Sequence, residues 1–162
     1  MLNTNSLQMV PTPTRYCLTA GTSEGFSKLN AFDGAQLAAK VGNTNLVRMS
    51  SILPPKCQQE TEIELPYGAL VPIAYASMVS SDNKQTISSA VAIALPEDEN
   101  LPGVIMEYSA YNTQDVVEAH VRKMAQQALE MRDWKIKEIQ SISTECTVNE
   151  TGATFAAVVL WY

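Results

Sequence analysis

Two consecutive serines, Ser50 and Ser51, lie where the chain has little conformational freedom. A Gly-Asn turn at 42–43 and a short apolar strand at 46–49 precede them, and a Leu-Pro-Pro sequence at 53–55 follows. Proline disfavours helical backbone in the residue before it, so the segment after the serines is expected to be extended. A serine hydroxyl is a nucleophile when its surroundings activate it. The same spacing also fits a strand that ends in a proline-rich loop.

Asn45 and Glu107 are polar residues next to apolar, strand-like segments. In a regular strand Asn45 shares a face with Ser51, because side chains alternate with a period of two. Glu107 interrupts the apolar run 104–106 and would share a face with Ser109. Both residues also have ordinary explanations. Asn45 fits a turn residue, and an isolated glutamate in a strand usually faces solvent.

Asp33 and His120 fall in predicted helices. Asp33 takes the third position of a helix predicted over 31–40 with Asn30 as its N-cap, where an acidic side chain complements the helix dipole. His120 is the only histidine and lies on the apolar stripe of a helix predicted from 113 to about 132. A serine–histidine hydrolase would have to use it. The position instead favours a core or interface histidine.

Strands dominate the remaining pattern. Apolar runs and alternation predict strands at 15–20, 46–49, 60–65, 69–79, 86–95, 104–110, 136–148 and 153–162, the last two as a hairpin around 149–152. The glycine-rich segment 21–25 lacks the continuation of a phosphate-binding loop and predicts a strand-to-helix turn. Residues 1–14 are expected to be irregular or packed on a neighbour. Many strands, two helices and no linker predict one α+β sandwich domain over 1–162.

The composition excludes several classes of protein. The chain is 46% hydrophobic and 17% charged, which predicts a folded domain with some surface buried by partner subunits. A net charge of −6 disfavours nucleic acid and favours a cationic substrate. Cys17, Cys57 and Cys146 have no metal-ligand spacing and predict free thiols in a reducing compartment. No segment suggests a membrane span or a signal peptide, so a cytoplasmic protein is expected.

The chain resembles the pyruvoyl-dependent arginine decarboxylases in motifs that keep their order from residue 18 to residue 162. These motifs are Leu18-Thr-Ala-Gly-Thr-Ser-Glu-Gly25, Leu29-Asn-Ala-Phe-Asp-Gly-Ala35, Gly42 to Pro55, Gly68-Ala-Leu-Val-Pro72, Ile105-Met-Glu-Tyr108, Glu130-Met-Arg132 and Phe155 to Tyr162. The resemblance implies a four-layer α/β/β/α sandwich of the pyruvoyl-dependent histidine/arginine decarboxylase type. It also implies a homotrimer, or a dimer of trimers, with active sites between subunits.

The resemblance further implies that the chain cuts itself between Ser50 and Ser51, into chains 1–50 and 51–162. The Ser51 hydroxyl attacks the Ser50 carbonyl to form an ester, and elimination then cuts the chain. Hydrolysis releases ammonia and leaves a covalent pyruvoyl group derived from Ser51. Its carbonyl condenses with the substrate amine and serves as an electron sink when carbon dioxide leaves. No metal is implied.

Roles for the other residues follow from the same resemblance. Asn45 supports self-cleavage as an oxyanion donor, and Glu107 is the general acid that returns a proton to the substrate Cα. Asp33 pairs with the substrate guanidinium, for which a carboxylate is the planar, bidentate match. Backbone near Gly42 and Thr44 completes the substrate pocket.

The predicted function is decarboxylation of L-arginine to agmatine and carbon dioxide. One alternative is a decarboxylase of histidine, lysine or ornithine. Gln36 and Lys40 bear on this alternative, because they stand where leucine and glycine are usual in the family. The other alternative is a processing-deficient paralogue that acts as a structural or regulatory subunit. The presence of both serines, Asn45 and Glu107 argues against that paralogue.

Overall fold

The computed structural model describes residues 10–162, which form two helices and nine strands. The strands are β1 (Arg15–Glu24), β2 (Asn45–Arg48), β3 (Ile52–Leu53), β4 (Gln58–Gln59), β5 (Leu70–Ser80), β6 (Thr86–Pro96), β7 (Gly103–Ala110), β8 (Ile136–Thr147) and β9 (Gly152–Trp161). The helices are α1 (Lys28–Ala38) and α2 (Gln114–Glu130). Neither described helix is long and apolar enough to cross a membrane.

The strands form two sheets that pack face to face. The five-stranded sheet has the order β2-β5-β9-β1-β4, and the four-stranded sheet has the order β3-β7-β6-β8. Ile105 of the four-stranded sheet packs with Val158 of the five-stranded sheet in the core between them. Tight packing of two apolar sheet faces is what holds a sandwich together.

A helix covers the outer face of each sheet. Helix α1 buries Ala31 and Ala35 against the five-stranded sheet, and α2 buries Val117 and Val121 against the four-stranded sheet. The layers are therefore α/β/β/α. The predicted α+β sandwich is confirmed, and its layers are in the order that the resemblance implied.

The predicted C-terminal hairpin is wrong. Strand β8 pairs with β6, whereas β9 lies in the other sheet between β1 and β5. Every residue from Gly152 to Leu160 is buried, because one face of β9 packs under α1 and the other faces the second sheet. A strand that is apolar on both faces needs a central position, which pairing with β8 at the edge of the four-stranded sheet would not provide.

Two further boundaries differ from prediction at the first helix. Strand β1 continues through Gly21 to Glu24, so the predicted turn at 21–25 does not form there. Gly21 has no Cβ atom and instead allows α1 to approach the strand closely. A Cβ atom on Gly21 would lie 2.4 Å from the Ala35 carbonyl oxygen. Helix α1 begins at Lys28, and Ser27, not Asn30, is its N-cap. The Ser27 hydroxyl accepts a hydrogen bond from the Asn30 backbone N–H at 3.2 Å.

One further strand prediction fails, and the prediction for His120 fails in part. Residues 60–65, which were predicted to be a strand, have no regular secondary structure. The two residues before them, Gln58 and Gln59, form a short strand that pairs with β1. Ile63 is nevertheless buried, so its apolar side chain anchors an irregular segment. His120 is exposed and packs against Tyr108 with ring centroids 4.2 Å apart, so a place in the core of this chain is wrong, and a place at an interface stays a prediction. Residues 1–9 of the predicted N-terminal arm lie outside the described residues.

Candidate active site

The Ser50–Ser51 peptide lies where the chain passes from one sheet to the other. Strand β2 ends at Arg48 in the five-stranded sheet, and β3 begins at Ile52 in the four-stranded sheet. The Met49 N–H donates to the Ile73 carbonyl at 2.8 Å, and the Ser51 carbonyl accepts from the Ile105 N–H at 2.9 Å. The crossing is therefore fixed by backbone hydrogen bonds on both sides of the serine pair.

Ser51 has a left-handed backbone conformation, with φ 78°. This conformation costs about 1–2 kcal/mol for a residue with a Cβ atom. Strain of this kind persists only where the surrounding structure imposes it, and it is concentrated at functional sites. Here it falls on the serine that the sequence predicted to be the pyruvoyl precursor.

Glu107 provides the carboxyl group next to this serine. The Ser51 hydroxyl donates a hydrogen bond to Glu107 Oε1. Strand alternation places Glu107 on the face that Ile105 and Ser109 share, as predicted, and this face is turned toward the five-stranded sheet. Only 21% of the Glu107 side chain is exposed, so it is not the solvent-facing glutamate of the ordinary explanation.

The serine pair and Glu107 border one open cavity of about 330 Å³. Its lining consists of Ser50, Ser51, Ile52, Val104, Ile105, Met106, Glu107, Met124 and Arg132. This volume is within the range of small-molecule sites. A nucleophilic hydroxyl, a strained peptide and a carboxyl group therefore border one cavity, and this is the combination expected for formation of a pyruvoyl group.

The other predicted residues lie on the α1 side of the five-stranded sheet. Asp33 is exposed on α1, and its side chain has no hydrogen-bond or ion-pair partner within residues 10–162. Leu37, one helical turn later on the same face, packs against Gly42. Thr44 closes the turn after the helix by donating from Oγ1 to the Val41 carbonyl at 2.7 Å.

Asn45 does not contact the serine pair within this chain. Its Nδ2 donates to the Gly68 carbonyl at 2.9 Å, at the opposite end of β2 from Ser51. A shared face with Ser51 was expected only for a regular strand, and this condition is not met, because β2 ends at Arg48 and Ser51 has a left-handed backbone. Sequence spacing assumed a regular strand that the fold does not contain.

The predicted residues therefore form two groups. We call Ser50, Ser51 and Glu107 the cleavage cluster, and Asp33, Gly42, Thr44 and Asn45 the helix-side cluster. No described hydrogen bond or ion pair joins the two clusters within one chain.

Two arginines that the sequence did not single out as functional lie at the cleavage cluster. Arg48 Nη2 lies 3.7 Å from Glu107 Oε2, and Arg132 lines the cavity from the C-terminal end of α2. The sequence contains a signal for each arginine. Arg48 is a charged residue inside the apolar strand before the serines, and Arg132 belongs to the motif Glu130-Met-Arg132.

The cysteines do not compete as nucleophiles. Burial raises the pKa of the Cys57 thiol to about 11, and burial likewise raises the pKa of the Cys17 and Cys146 thiols. Protonated thiols are poor nucleophiles and poor metal ligands at neutral pH. No group of three metal-ligating side chains occurs among residues 10–162.

Comparisons with known proteins show the family of the chain. The family model described as pyruvoyl-dependent arginine decarboxylase matches residues 15–162. A protein of that name from Methanocaldococcus jannaschii is 47% identical over 150 residues, which cover 93% of this chain and 91% of that protein. Proteins of the same name from Methanococcus aeolicus and Pyrococcus abyssi are 45% and 40% identical, each over 93% of this chain and over 91% and 96% of their own lengths.

Proposed function

The chain belongs to the pyruvoyl-dependent arginine decarboxylase family, and we propose that it cuts itself at Ser50–Ser51 and decarboxylates L-arginine to agmatine. The observation that carries the proposal is the hydrogen bond from the Ser51 hydroxyl to Glu107 beside a strained peptide. A pyruvoyl group supplies the electron sink that amino acid side chains lack. The remaining chemistry is performed by side chains and backbone of this chain.

Self-cleavage begins with the Ser51 hydroxyl. Glu107 accepts its proton while Oγ bonds to the Ser50 carbonyl carbon, and it passes a proton to the Ser51 nitrogen as the Ser50–Ser51 amide bond breaks, which converts the amide to an ester. Loss of the Ser51 Cα proton then eliminates a Ser50 carboxylate, which retains Oγ, and leaves dehydroalanine. Addition of water to the remaining dehydroalanine releases the former Ser51 nitrogen as ammonia and leaves the pyruvoyl group on chain 51–162.

Substrate binding is assigned to the helix-side cluster, and proton return is assigned to Glu107 of the cleavage cluster. The unpaired Asp33 carboxylate binds the guanidinium of L-arginine, with backbone at Gly42 and Thr44 beside it. Glu107 then delivers a proton to the substrate Cα after carbon dioxide leaves. Asn45 donates a hydrogen bond to the oxyanion during self-cleavage.

We further propose that a homotrimer, alone or as a dimer of trimers, unites the two clusters by placing a helix-side cluster of one subunit against the cleavage cluster of its neighbour. Exposed apolar side chains around the helix-side cluster support such an interface: Phe26 is 100% exposed, Leu29 74%, Tyr67 89% and Leu70 68%. Apolar side chains grouped on a surface mark interaction sites. The free thiols of the chain support a cytoplasmic location.

Mass spectrometry and turnover assays test the proposed function. Purified protein should consist of chains 1–50 and 51–162, the second without a free amino terminus. Among L-arginine, L-lysine, L-ornithine and L-histidine, arginine should release carbon dioxide with the highest kcat/KM. An intact 17.7 kDa chain after prolonged incubation would refute self-cleavage. Faster turnover of another amino acid would overturn the substrate while leaving the cleavage standing.

Coexpression tests the shared site. Ser51→Ala keeps the helix-side cluster but makes no pyruvoyl group, whereas Asp33→Asn keeps the cleavage cluster but loses the guanidinium partner. If each site is built from two subunits, random mixing of these variants restores about a quarter of the sites. Activity no higher than that of Asp33→Asn alone would show that one chain builds its own site.

A further inference from the structure

We infer that Arg48 is a positioning residue for Glu107 and that decarboxylation depends on it more than self-cleavage does. This inference rests on the proposed function. Arg48 is the last residue of β2 in the five-stranded sheet, and Glu107 lies on β7 in the four-stranded sheet. Their ion pair, 3.7 Å from Nη2 to Oε2, joins the two sheets where the chain crosses between them.

Arg48 is itself held by Tyr75 of the neighbouring strand. Its Nη2 donates to the Tyr75 carbonyl at 3.0 Å, and its Cζ lies 4.5 Å from the centroid of the Tyr75 ring. That ring stacks on the fully buried Phe155 with centroids 5.0 Å apart. A planar guanidinium held by a ring face and a carbonyl has a fixed position, which a flexible ammonium would not have.

The Glu107 carboxylate has two side-chain partners within residues 10–162, one at each oxygen. Ser51 donates to Oε1, and Arg48 faces Oε2. Self-cleavage removes the first partner, because Oγ of Ser51 becomes part of the Ser50 carboxylate. In the cleaved protein Arg48 is the remaining described partner of Glu107, and it belongs to the other chain, 1–50. After cleavage, Arg48 of chain 1–50 therefore orients the general acid Glu107 of chain 51–162 through this ion pair.

This asymmetry predicts unequal effects on the two reactions. In the uncut chain Ser51 still orients Glu107, so Arg48→Gln should cleave within about threefold of the wild-type rate. A displacement of about 1 Å in a catalytic group can reduce a rate about 100-fold, so kcat should fall about 10- to 100-fold. KM for L-arginine should change less than about threefold, because Asp33 binds the guanidinium. Arg48 is 58% exposed, and half-exposed ion pairs contribute little to stability, so the variant should fold.

The experiment compares Arg48→Gln, Arg48→Lys and Arg15→Gln. Arg48→Lys keeps the charge without the planar guanidinium and should have a kcat between those of wild type and Arg48→Gln. Arg15→Gln is the control, because it removes another partly exposed ion pair, with Glu60 at 3.3 Å, whose residues do not line the cavity at Ser51. The readouts are the time course of cleavage by intact mass, the kcat and KM of fully cleaved protein, and the midpoint of thermal unfolding.

An unchanged kcat in Arg48→Gln would overturn the inference, as would a loss of cleavage rate as large as the loss of kcat, or the same kcat loss in Arg15→Gln. If Arg48→Gln does not fold, Arg48→Lys decides: reduced kcat with normal cleavage supports the inference, and unchanged kcat overturns it. A wild type that cleaves but does not act on arginine would refute the proposed function instead. The Arg48 comparison would then use the amino acid that the wild type decarboxylates.

Discussion

Ser51 and Glu107 are 56 positions apart in the sequence, yet the hydroxyl of the first donates a hydrogen bond to the carboxyl group of the second. The contact follows from the pairing of β3 with β7, in which Ile52 lies opposite Val104. This register places Ser51 beside Ile105 of β7, two residues before Glu107. The carboxyl group to which the proposed function assigns both cleavage and proton return thereby lies beside Ser51.

Replacing Ser51 separates its hydroxyl from the rest of the site. Ser51→Ala should remain intact, because no nucleophile is left to attack the Ser50 carbonyl. Ser51→Cys should cleave slowly, since a thiol can make the same acyl shift. Ser50→Ala is the control and should cleave, because Ser50 contributes only its carbonyl to the reaction. Intact-mass measurement follows all three variants, and cleavage of Ser51→Ala would disprove the assignment of the nucleophile.

Glu107→Gln should separate making the pyruvoyl group from using it. The variant should still be cleaved at least in part, because its amide oxygen can accept the Ser51 hydrogen bond. Its kcat for L-arginine should fall about 10²- to 10⁴-fold, since an amide cannot donate the proton of a general acid. The exposed residue Glu99 provides the control variant Glu99→Gln, which should be unchanged. Full activity in Glu107→Gln would show that another group returns the proton.

Asp33→Asn tests recognition of the guanidinium. Loss of one partner of a charged, partly desolvated pair costs about 2–5 kcal/mol, so KM for L-arginine should rise at least about 30-fold. Self-cleavage should proceed normally, because Asp33 has no described contact with the cleavage cluster. Asp115→Asn, an exposed acid in the first turn of α2, is the control. An unchanged KM in Asp33→Asn would rule out Asp33 as the guanidinium partner.

Glu24 makes folding stability depend on pH. Its carboxylate accepts hydrogen bonds from the backbone N–H groups of Asn149 (2.9 Å), Glu150 (3.1 Å) and Thr151 (2.9 Å), which close the crossing from β8 to β9. The hydrogen bond from Asn149 contributes most to lowering the pKa of Glu24. A lowered pKa in the folded state adds stability above the pKa of the unfolded chain, and this stability is lost as the pH falls through the folded value.

Glu24→Gln should therefore be less stable than wild type at neutral pH by no more than about 1 kcal/mol, because Glu24 is exposed and water screens its interactions. The difference should shrink as the pH falls below about 4. Glu64→Gln serves as the control, because Glu64 is exposed and has no described hydrogen bond or ion pair. Urea denaturation at several pH values measures the difference. A gap between wild type and Glu24→Gln that does not depend on pH would contradict this account of Glu24.

Gly21 tests the close approach of α1 to β1. Gly21→Ala places a Cβ atom 2.4 Å from the Ala35 carbonyl oxygen and 2.6 Å from the Ala39 nitrogen, so the helix must move. The expected loss is about 3 kcal/mol of unfolding free energy. Gly68→Ala is the matched comparison. Its φ of +75° costs about 1 kcal/mol, but no atom lies within 4 Å of the new Cβ. Equal losses in thermal unfolding would show that steric contact with α1 is not what limits position 21.

The sequence by itself determined the elements whose signals are local. Strands β5, β6 and β7 and helix α2 were predicted to within about two residues, because apolar alternation and helical periodicity are set along the chain. The serine pair before Leu-Pro-Pro and Glu107 were assigned their roles through ordered motifs that resemble one family, not through periodicity. These signals need no knowledge of which strands are neighbours.

Only the tertiary structure decided how those elements are combined. The separation of β8 and β9 into different sheets depends on which strand can bury both of its faces, and a turn at 149–152 does not report that. The contact of Arg48 and Ser51 with Glu107 depends on the crossing between sheets, and the distance from Asn45 to Ser51 depends on where β2 ends. Sequence spacing reports geometry only within a regular element, and the candidate site lies where one regular element ends and another begins.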